Sequence, residues 1–203
     1  MIKAGLLAVL QLLLLAPGRP ASAASPPTVD LGYAQYQGAV DSTTNITSFL
    51  GIRYASPPVG NLRWVEPQPP PTLSGVQQAT EQPNECYQGA MGNSSTDPVT
   101  GSLGKRAVSQ SEDCLFLNVY VPGNTITTAT SGGLPVLVWI HGGGYTLGSA
   151  SAFNGADLIM HSDHDLIVVI IQYRLGLFGF LAGEAVKAGG ALNAGLRAFF
   201  CIN

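Results

Sequence analysis

The sequence predicts an α/β domain, and three stretches carry that expectation. LPVLVWI, residues 134–140, and DLIVVIIQY, residues 165–173, are continuous runs rich in β-branched residues, the composition of strands buried on both faces. GADLIMHS, residues 155–162, lies between them and reads as a short helix, so a helical crossover joins two buried strands. CLFLNVYVP, residues 114–122, alternates and stops at Pro122, which makes it a further strand.

The other segments follow in chain order. Residues 24–30 are a Pro-rich lead-in. YAQYQGAV (33–40) and ITSFLGIRYA (46–55) are short, partly alternating runs with turn residues between them, and they predict a small antiparallel hairpin. SPPVGNLRWVEPQPPPTLSG, residues 56–75, holds too many prolines for regular structure. Residues 87–113 are polar and irregular and read as a loop, and NTITTATSGG, 124–133, as a surface turn. There is no internal repeat and no second domain.

Only 10% of the 203 residues are charged, against about 25% in an ordinary soluble domain. Part of the skew sits at the start. Lys3 precedes an apolar run from Ala4 to Ala16, and Ala21-Ser22-Ala23 follows, the layout of a secretory signal peptide cleaved near Ala23. Residues 1–23 are therefore expected to be a leader and 24–203 the domain, in a secreted, extracellular protein. The apolar run is short for a membrane span and is broken by Pro17, Gly18 and Pro20, so no stable anchor is expected. Net charge is −3 with no basic cluster, which argues against a nucleic-acid partner. Export gives weight to two glycosylation sequons, Asn45-Ile46-Thr47 and Asn93-Ser94-Ser95. It also makes a disulfide plausible among the three cysteines. Cys86 and Cys114 bracket the polar segment and are the natural pair; closing that loop contributes roughly 3.5 kcal/mol in the chain-entropy account. Cys201 is left over.

The run PVLVWI ends in His141-Gly142-Gly143-Gly144. A strand fixes where the turn sits, and glycine lets the backbone turn sharply with no side chain in the way. Two N–H groups aimed at one point then stabilise the oxyanion of a tetrahedral intermediate, each donor being worth about 3 kcal/mol of barrier. The pattern has the form of a lipase and esterase oxyanion motif. The bland alternative is a tight glycine turn without chemistry.

GIRYASPPVGNLRW, SEDCLFLNVYVP, VLVWIHGGGYTLGS, IVVIIQYRLGLFGFLAG and NAGL occur in this order. Together they resemble the type-B carboxylesterase family, which includes cholinesterases and fungal lipases on the α/β-hydrolase fold. The resemblance runs from Tyr33 to Leu196 and ends abruptly at Arg197. It implies a truncated α/β-hydrolase fold: an N-terminal antiparallel hairpin plus the first strands of the central mixed sheet. It also implies that Gly143 and Gly144 form the oxyanion hole, that Cys86 and Cys114 are the first disulfide, and that Arg63 and Glu112 form a structural salt bridge. Tyr145 replaces a common phenylalanine. His161 and His164 match no site of the family and read as surface residues. Arg174 matches an arginine whose aspartate partner would fall at Ala198. The strand LIVVII is expected to be the uncovered edge of the sheet.

No serine stands in G-x-S-x-G; Ser94 and Ser149 both fail the pattern. The elbow, the acid and the histidine of the family lie beyond NAGL, so none of the catalytic triad is expected here. No cofactor or metal is expected. The reading is the N-terminal portion of a secreted serine-type carboxylic-ester hydrolase acting on a small-molecule ester and inactive as this chain. The alternatives are a non-catalytic binding or adhesion member of the family and a non-functional truncated product. The segment between Cys86 and Cys114 holds no tryptophan and Tyr87 as its one aromatic residue, which argues against choline esters. It has no apolar stripe either, so a soluble short-acyl ester is expected rather than a lipid interface.

Overall fold

The computed structural model of the chain describes residues 25–89, 108–124 and 132–201. The expected leader, the sequon at Asn93, most of the loop between Cys86 and Cys114, the turn at 125–131 and the side chain of Cys201 lie outside the described residues.

The strands are β1 (Thr28–Asp30), β2 (Gln35–Gln37), β3 (Ala39–Asp41), β4 (Ile46–Arg53), β5 (Val76–Gln78), β6 (Glu85–Cys86), β7 (Gln110–Ser111), β8 (Phe116–Pro122), β9 (Val136–Ile140) and β10 (Ile167–Ile171). The helices are α1 (Gly155–His161), α2 (Gly176–Phe180), α3 (Glu184–Ala188) and α4 (Ala194–Arg197). The main sheet has the order β3-β4-β8-β10-β9. Its pairs are antiparallel except β10 with β9, which is parallel, so the sheet is mixed.

The hairpin is β3 with β4, and only half of the run YAQYQGAV belongs to it. Gly38 divides that run. A Cβ there would lie 2.6 Å from the Ser48 carbonyl oxygen and 2.9 Å from the Phe49 ring. The glycine therefore lets the chain cross closely over β4, and β2 joins a separate sheet, β1-β2-β5. β4 bulges between Phe49 and Ile52, where Gly51 has φ +82°. The amide that the bulge removes from the ladder is not orphaned: Gly51 N–H donates to Asn118 Oδ1 at 3.0 Å. Asn118 is fully buried on β8 and donates in turn to Gln82. The segment expected to be irregular at 56–75 holds one 3₁₀ turn, Gly60–Leu62, and the cysteine loop is pinned at its ends by β6 pairing with β7.

The crossover helix forms where the sequence predicts it. Asn154 Oδ1 caps it by accepting from Ala156 N–H at 3.1 Å, and Asp157 sits in its first turn. It ends where Asp163 and His164 turn to positive φ. Gly155 lets α1 approach β8, since a Cβ would fall 2.4 Å from the Tyr120 ring. Val168 and Ile170 of β10 pack with Ile159 of α1 and with Tyr120, Ile46 and Ala150. Ile171 turns to the opposite face, into a cluster with Phe49, Ile52, Tyr54, Leu115, Leu117 and Tyr173. β10 is thus buried on both faces.

β9 is not, and this corrects the sequence reading. It lies at the end of the sheet order, with Val136, Val138 and Ile140 58%, 50% and 53% exposed. The uncovered edge is VLVWI, because β10 is enclosed between β8 and β9. Of the β9 side chains, Leu137 reaches the α1 cluster and Trp139 rests on Phe153, ring centroids 5.3 Å apart.

An apolar strand with a free edge is a template for pairing with another chain. Purified chain is expected to self-associate with rising concentration in sedimentation velocity. Val138→Lys is expected to suppress that association without lowering the melting temperature, because the site is exposed. Equal association of both proteins would show that β9 is not the sticking surface.

Candidate functional site

The glycine turn leaves the C-terminal end of β9. Gly143 has φ +122° and Gly144 φ +61°, both in the left-handed half of the map. At Gly143 a Cβ would stand 1.9 Å from the Leu147 carbonyl oxygen, a contact no side chain tolerates. The Gly143 carbonyl accepts from the N–H groups of Thr146 and Leu147, both at 3.2 Å, and from Thr146 Oγ1 at 3.1 Å. That carbonyl points into the turn. The N–H groups of Gly143 and Gly144 donate to no other group among the described residues. Around Gly142 and Gly144 the space a Cβ would enter is open. The backbone therefore carries two adjacent N–H groups without a partner among the described residues, beside glycines with no side chain to crowd them.

Tyr145 continues the turn at φ +63°, a conformation that costs a non-glycine residue about 1–2 kcal/mol. It is held there from two sides. Its carbonyl accepts from Gly176 N–H at 2.7 Å, and its ring leans on Phe180 at 4.8 Å.

His141 anchors the start of the turn. It is 2% exposed and stacks on Tyr173, centroids 4.5 Å apart and planes 20° apart. The Tyr173 hydroxyl donates to the His141 carbonyl at 2.9 Å. His141 Nδ1 lies 2.9 Å from the Gly142 carbonyl, which can only accept, so Nδ1 carries the proton. Burial holds the imidazole below its ordinary pKa of 6.5. Its ring presses against Gly148, where a Cβ would meet Nδ1 at 2.3 Å.

The end of the turn is laced to the segment around Cys86. Gln88 Oε1 accepts from Gly148 N–H at 2.6 Å, and Gln88 Nε2 donates to the Gly148 carbonyl at 3.0 Å and to the Cys86 carbonyl at 2.8 Å. Gly89 N–H donates to the Thr146 carbonyl at 2.6 Å. Just upstream, buried Glu85 accepts from Ser149 Oγ at 2.9 Å and from Ser151 Oγ at 2.5 Å. Cys86 is joined to Cys114 by a disulfide. Gln172, at the end of β10, ties both flanks together: its Nε2 donates to the carbonyls of Asn84 (2.8 Å) and Cys114 (3.0 Å).

The other residues singled out in the sequence do not converge on the turn. Arg63 and Glu112 form a bidentate pair, both contacts at 2.5 Å. Beside it stands a second pair that sequence reading missed, Arg53 with Asp113 at 2.6 and 2.8 Å. Arg174 is buried and donates from Nη2 to the Ala194 carbonyl at 2.9 Å; Ala198, where the resemblance puts an aspartate, is fully buried. His161 and His164 are exposed and bond backbone carbonyls of Asp157 and Thr44. Asn45 is exposed in the β3–β4 turn. Ser149 is buried on Glu85 and has no imidazole partner among the described residues. No group of histidine, cysteine and acidic residues fit to hold a metal occurs among the described residues. Gln88, Glu85 and Gln172 are the members of the site that sequence reading missed.

A family model described as the carboxylesterase family matches residues 25–197. The chain belongs to the carboxylesterase family. Carboxylesterase 1E of Mus musculus is 40% identical over 171 residues, 78% of this chain and 28% of that protein. The medium-chain fatty acyl-CoA hydrolase precursor of Anas platyrhynchos is 42% identical over 152 residues, 74% and 26% of the two chains. The crystal structure of EstA from Aspergillus niger superposes with a TM-score of 0.72 at 39% identity, covering 87% of this chain and 31% of that one. The fold of this carboxylesterase chain is accordingly the α/β-hydrolase fold. It spans roughly a quarter to a third of the length of these relatives.

The lacing predicts a measurable cost. Gln88→Ala leaves a Gly148 N–H without its partner and is expected to destabilise the chain by about 1–3 kcal/mol in denaturant melts. Hydrogen exchange should accelerate at Gly148 and Gly89 first. Unchanged protection at both would show that the amide does not hold the turn. His141 predicts the pH dependence. Its folded pKa is depressed below the unfolded 6.5, so the unfolded state binds the proton more tightly. Its contribution is present in full above about pH 6.5 and is lost as pH falls through the folded pKa. His141→Asn keeps a donor for the Gly142 carbonyl and is expected to flatten that slope. An identical slope in the variant would assign the dependence to other groups.

Proposed function

We propose that this chain carries the oxyanion-binding part of an exported serine-type carboxylic-ester hydrolase, converting an ester and water to an acid and an alcohol. The observation that carries the reading is the pair of N–H groups at Gly143 and Gly144, which donate to no group among the described residues and lie on the turn that leaves the end of β9. A serine oxygen attacking an ester carbonyl drives the π electron pair onto the carbonyl oxygen. The two amides would receive that charge, and preorganised donors do so without reorganising during the reaction. A binding protein has no use for such a turn, which disfavours the adhesion reading.

The 203 residues contain no serine in G-x-S-x-G. The chain as it stands is therefore read as inactive, its turn complete and its nucleophile absent. The leader at 1–23 is read as directing it out of the cell, with cleavage near Ala23. On substrate, the relatives range from a fatty acyl-CoA hydrolase to a pyrethroid hydrolase. A glycine turn that binds any ester oxyanion does not choose among such substrates. A small soluble ester is supported by the composition of residues 87–113, which hold no apolar stripe and one aromatic residue, Tyr87.

Purified chain is expected to hydrolyse p-nitrophenyl esters no faster than a denatured control. Saturable turnover abolished by an organophosphate would overturn the reading of inactivity. Sequencing the transcript past the Leu196 codon tests the hydrolase reading itself: an in-frame G-x-S-x-G elbow is expected, and a transcript without one would remove it.

A further inference from the structure

We infer that Asn45 is an N-glycosylation acceptor, and that it is loaded before β4 pairs with β8. Asn45-Ile46-Thr47 is a sequon at the β3–β4 turn. Asn45 is exposed, and its side-chain amide makes no hydrogen bond among the described residues. Its φ of +52° is one that asparagine adopts readily in a turn. The amide nitrogen is therefore free for conjugation in the folded chain, and an attached glycan would project from the tip of a hairpin.

The third residue of the sequon tells a different story. Thr47 is 0% exposed, and its Oγ1 donates to the Gly123 carbonyl at 2.6 Å. Gly123 N–H donates back to the Asn45 carbonyl at 2.8 Å. The sequon is thus locked across the end of β8, where Ile46 pairs with Pro122. A transferase that reads the sequon must reach the threonine hydroxyl, and the folded chain does not present it. The acceptor is complete only while β4 is unpaired from β8. In the transfer, Asn45 Nδ2 forms a bond to the anomeric carbon of a lipid diphosphate-linked oligosaccharide. The anomeric C–O bond breaks, the diphosphate leaves with the electron pair, and the amide gives one proton to the transferase.

The glycan would not touch the candidate site. β4 and β8 run antiparallel, β8 and β10 antiparallel, and β10 and β9 parallel. Asn45 therefore sits at the N-terminal ends of β9 and β10, and the glycine turn leaves the C-terminal end of β9. The strand between them is five residues long, on the order of 15 Å.

In the cell this modification rests on the export reading, because the donor lipid lies in the secretory pathway. The test separates the two. The chain is translated in vitro with microsomes in two forms, one with its own first 23 residues and one with an added cleavable leader. Both carry Asn93→Gln, so a glycosidase-sensitive gel shift reports Asn45 alone. One shift is expected in both forms, lost completely in Asn45→Gln and Thr47→Ala and kept in Thr47→Ser. A shift with the added leader only would support the acceptor and sink the export reading. Protease-protected, leader-processed chain without a shift would overturn the acceptor. The order of events is read by giving detergent-solubilised transferase and donor lipid to purified unglycosylated chain. Addition is expected after unfolding in denaturant and not to the folded chain; addition to the folded chain would overturn the order.

Discussion

Gln88 bonds both polar groups of Gly148, accepting from its N–H and donating to its carbonyl, which is what a neighbouring β-strand residue would do. Among the described residues no strand lies beside the turn from His141 to Ser149 to hold its far end, and this one side-chain amide stands in for one. The same Nε2 also reaches the Cys86 carbonyl, so the turn is referred to the disulfide two residues away. Gln172 then refers the disulfide to the end of β10 through the Cys114 carbonyl. A backbone whose two N–H groups donate to nothing among the described residues does not stabilise itself with those donors. Its rigidity has to be supplied from outside, and the chain supplies it with amide side chains, a buried carboxylate and a covalent link.

This explains which glycines are required. Gly143 is excluded from carrying a side chain by the Leu147 carbonyl, and Gly148 by the His141 ring and the Gly142 carbonyl. The first close approach folds the turn; the second seats it on the buried histidine. Gly142 and Gly144 meet nothing, and their value is the open space they leave. One run of glycines therefore serves two purposes, tight packing at Gly143 and access at its neighbours.

Much of this was legible in the sequence, and the illegible part has a common cause. β8, β10 and α1 announced themselves because a run of apolar or alternating residues is a local signal. His141 to Gly144 did so because a glycine run after a strand is local too. The partition of YAQYQGAV at Gly38 was not legible, since it depends on Ser48 and Phe49 lying underneath. Gln88, Glu85 and Gln172 were invisible for the same reason: a glutamine in a polar loop looks like any solvated residue until the fold brings Gly148 to it, 60 positions away. Arg53 with Asp113 escaped notice although Asp113 adjoins Glu112, because the pairing partner is again remote in sequence. The exposure of β9 was misread because composition reports what a strand can be covered by, while its place in the sheet order decides what covers it.

That last point bears on the site. β9 delivers the glycine turn and is also the least buried strand of the main sheet, its outer side chains open to solvent. An edge strand frays more readily than one paired on both sides, and a turn hung on it alone would move with it. The chain avoids this by tying His141, the first residue past β9, to Tyr173, the second residue past the end of β10. Tyr173 both stacks on its ring and bonds its carbonyl, and Tyr173 is 3% exposed and part of the main core. Gly176 N–H, at the start of α2 on the same segment, donates to the Tyr145 carbonyl. The position of the turn is thereby set by the buried strand and only its direction of entry by the exposed one. The parallel register of β9 and β10, Ile140 opposite Ile171, brings both strand ends to the same level and makes the tie possible.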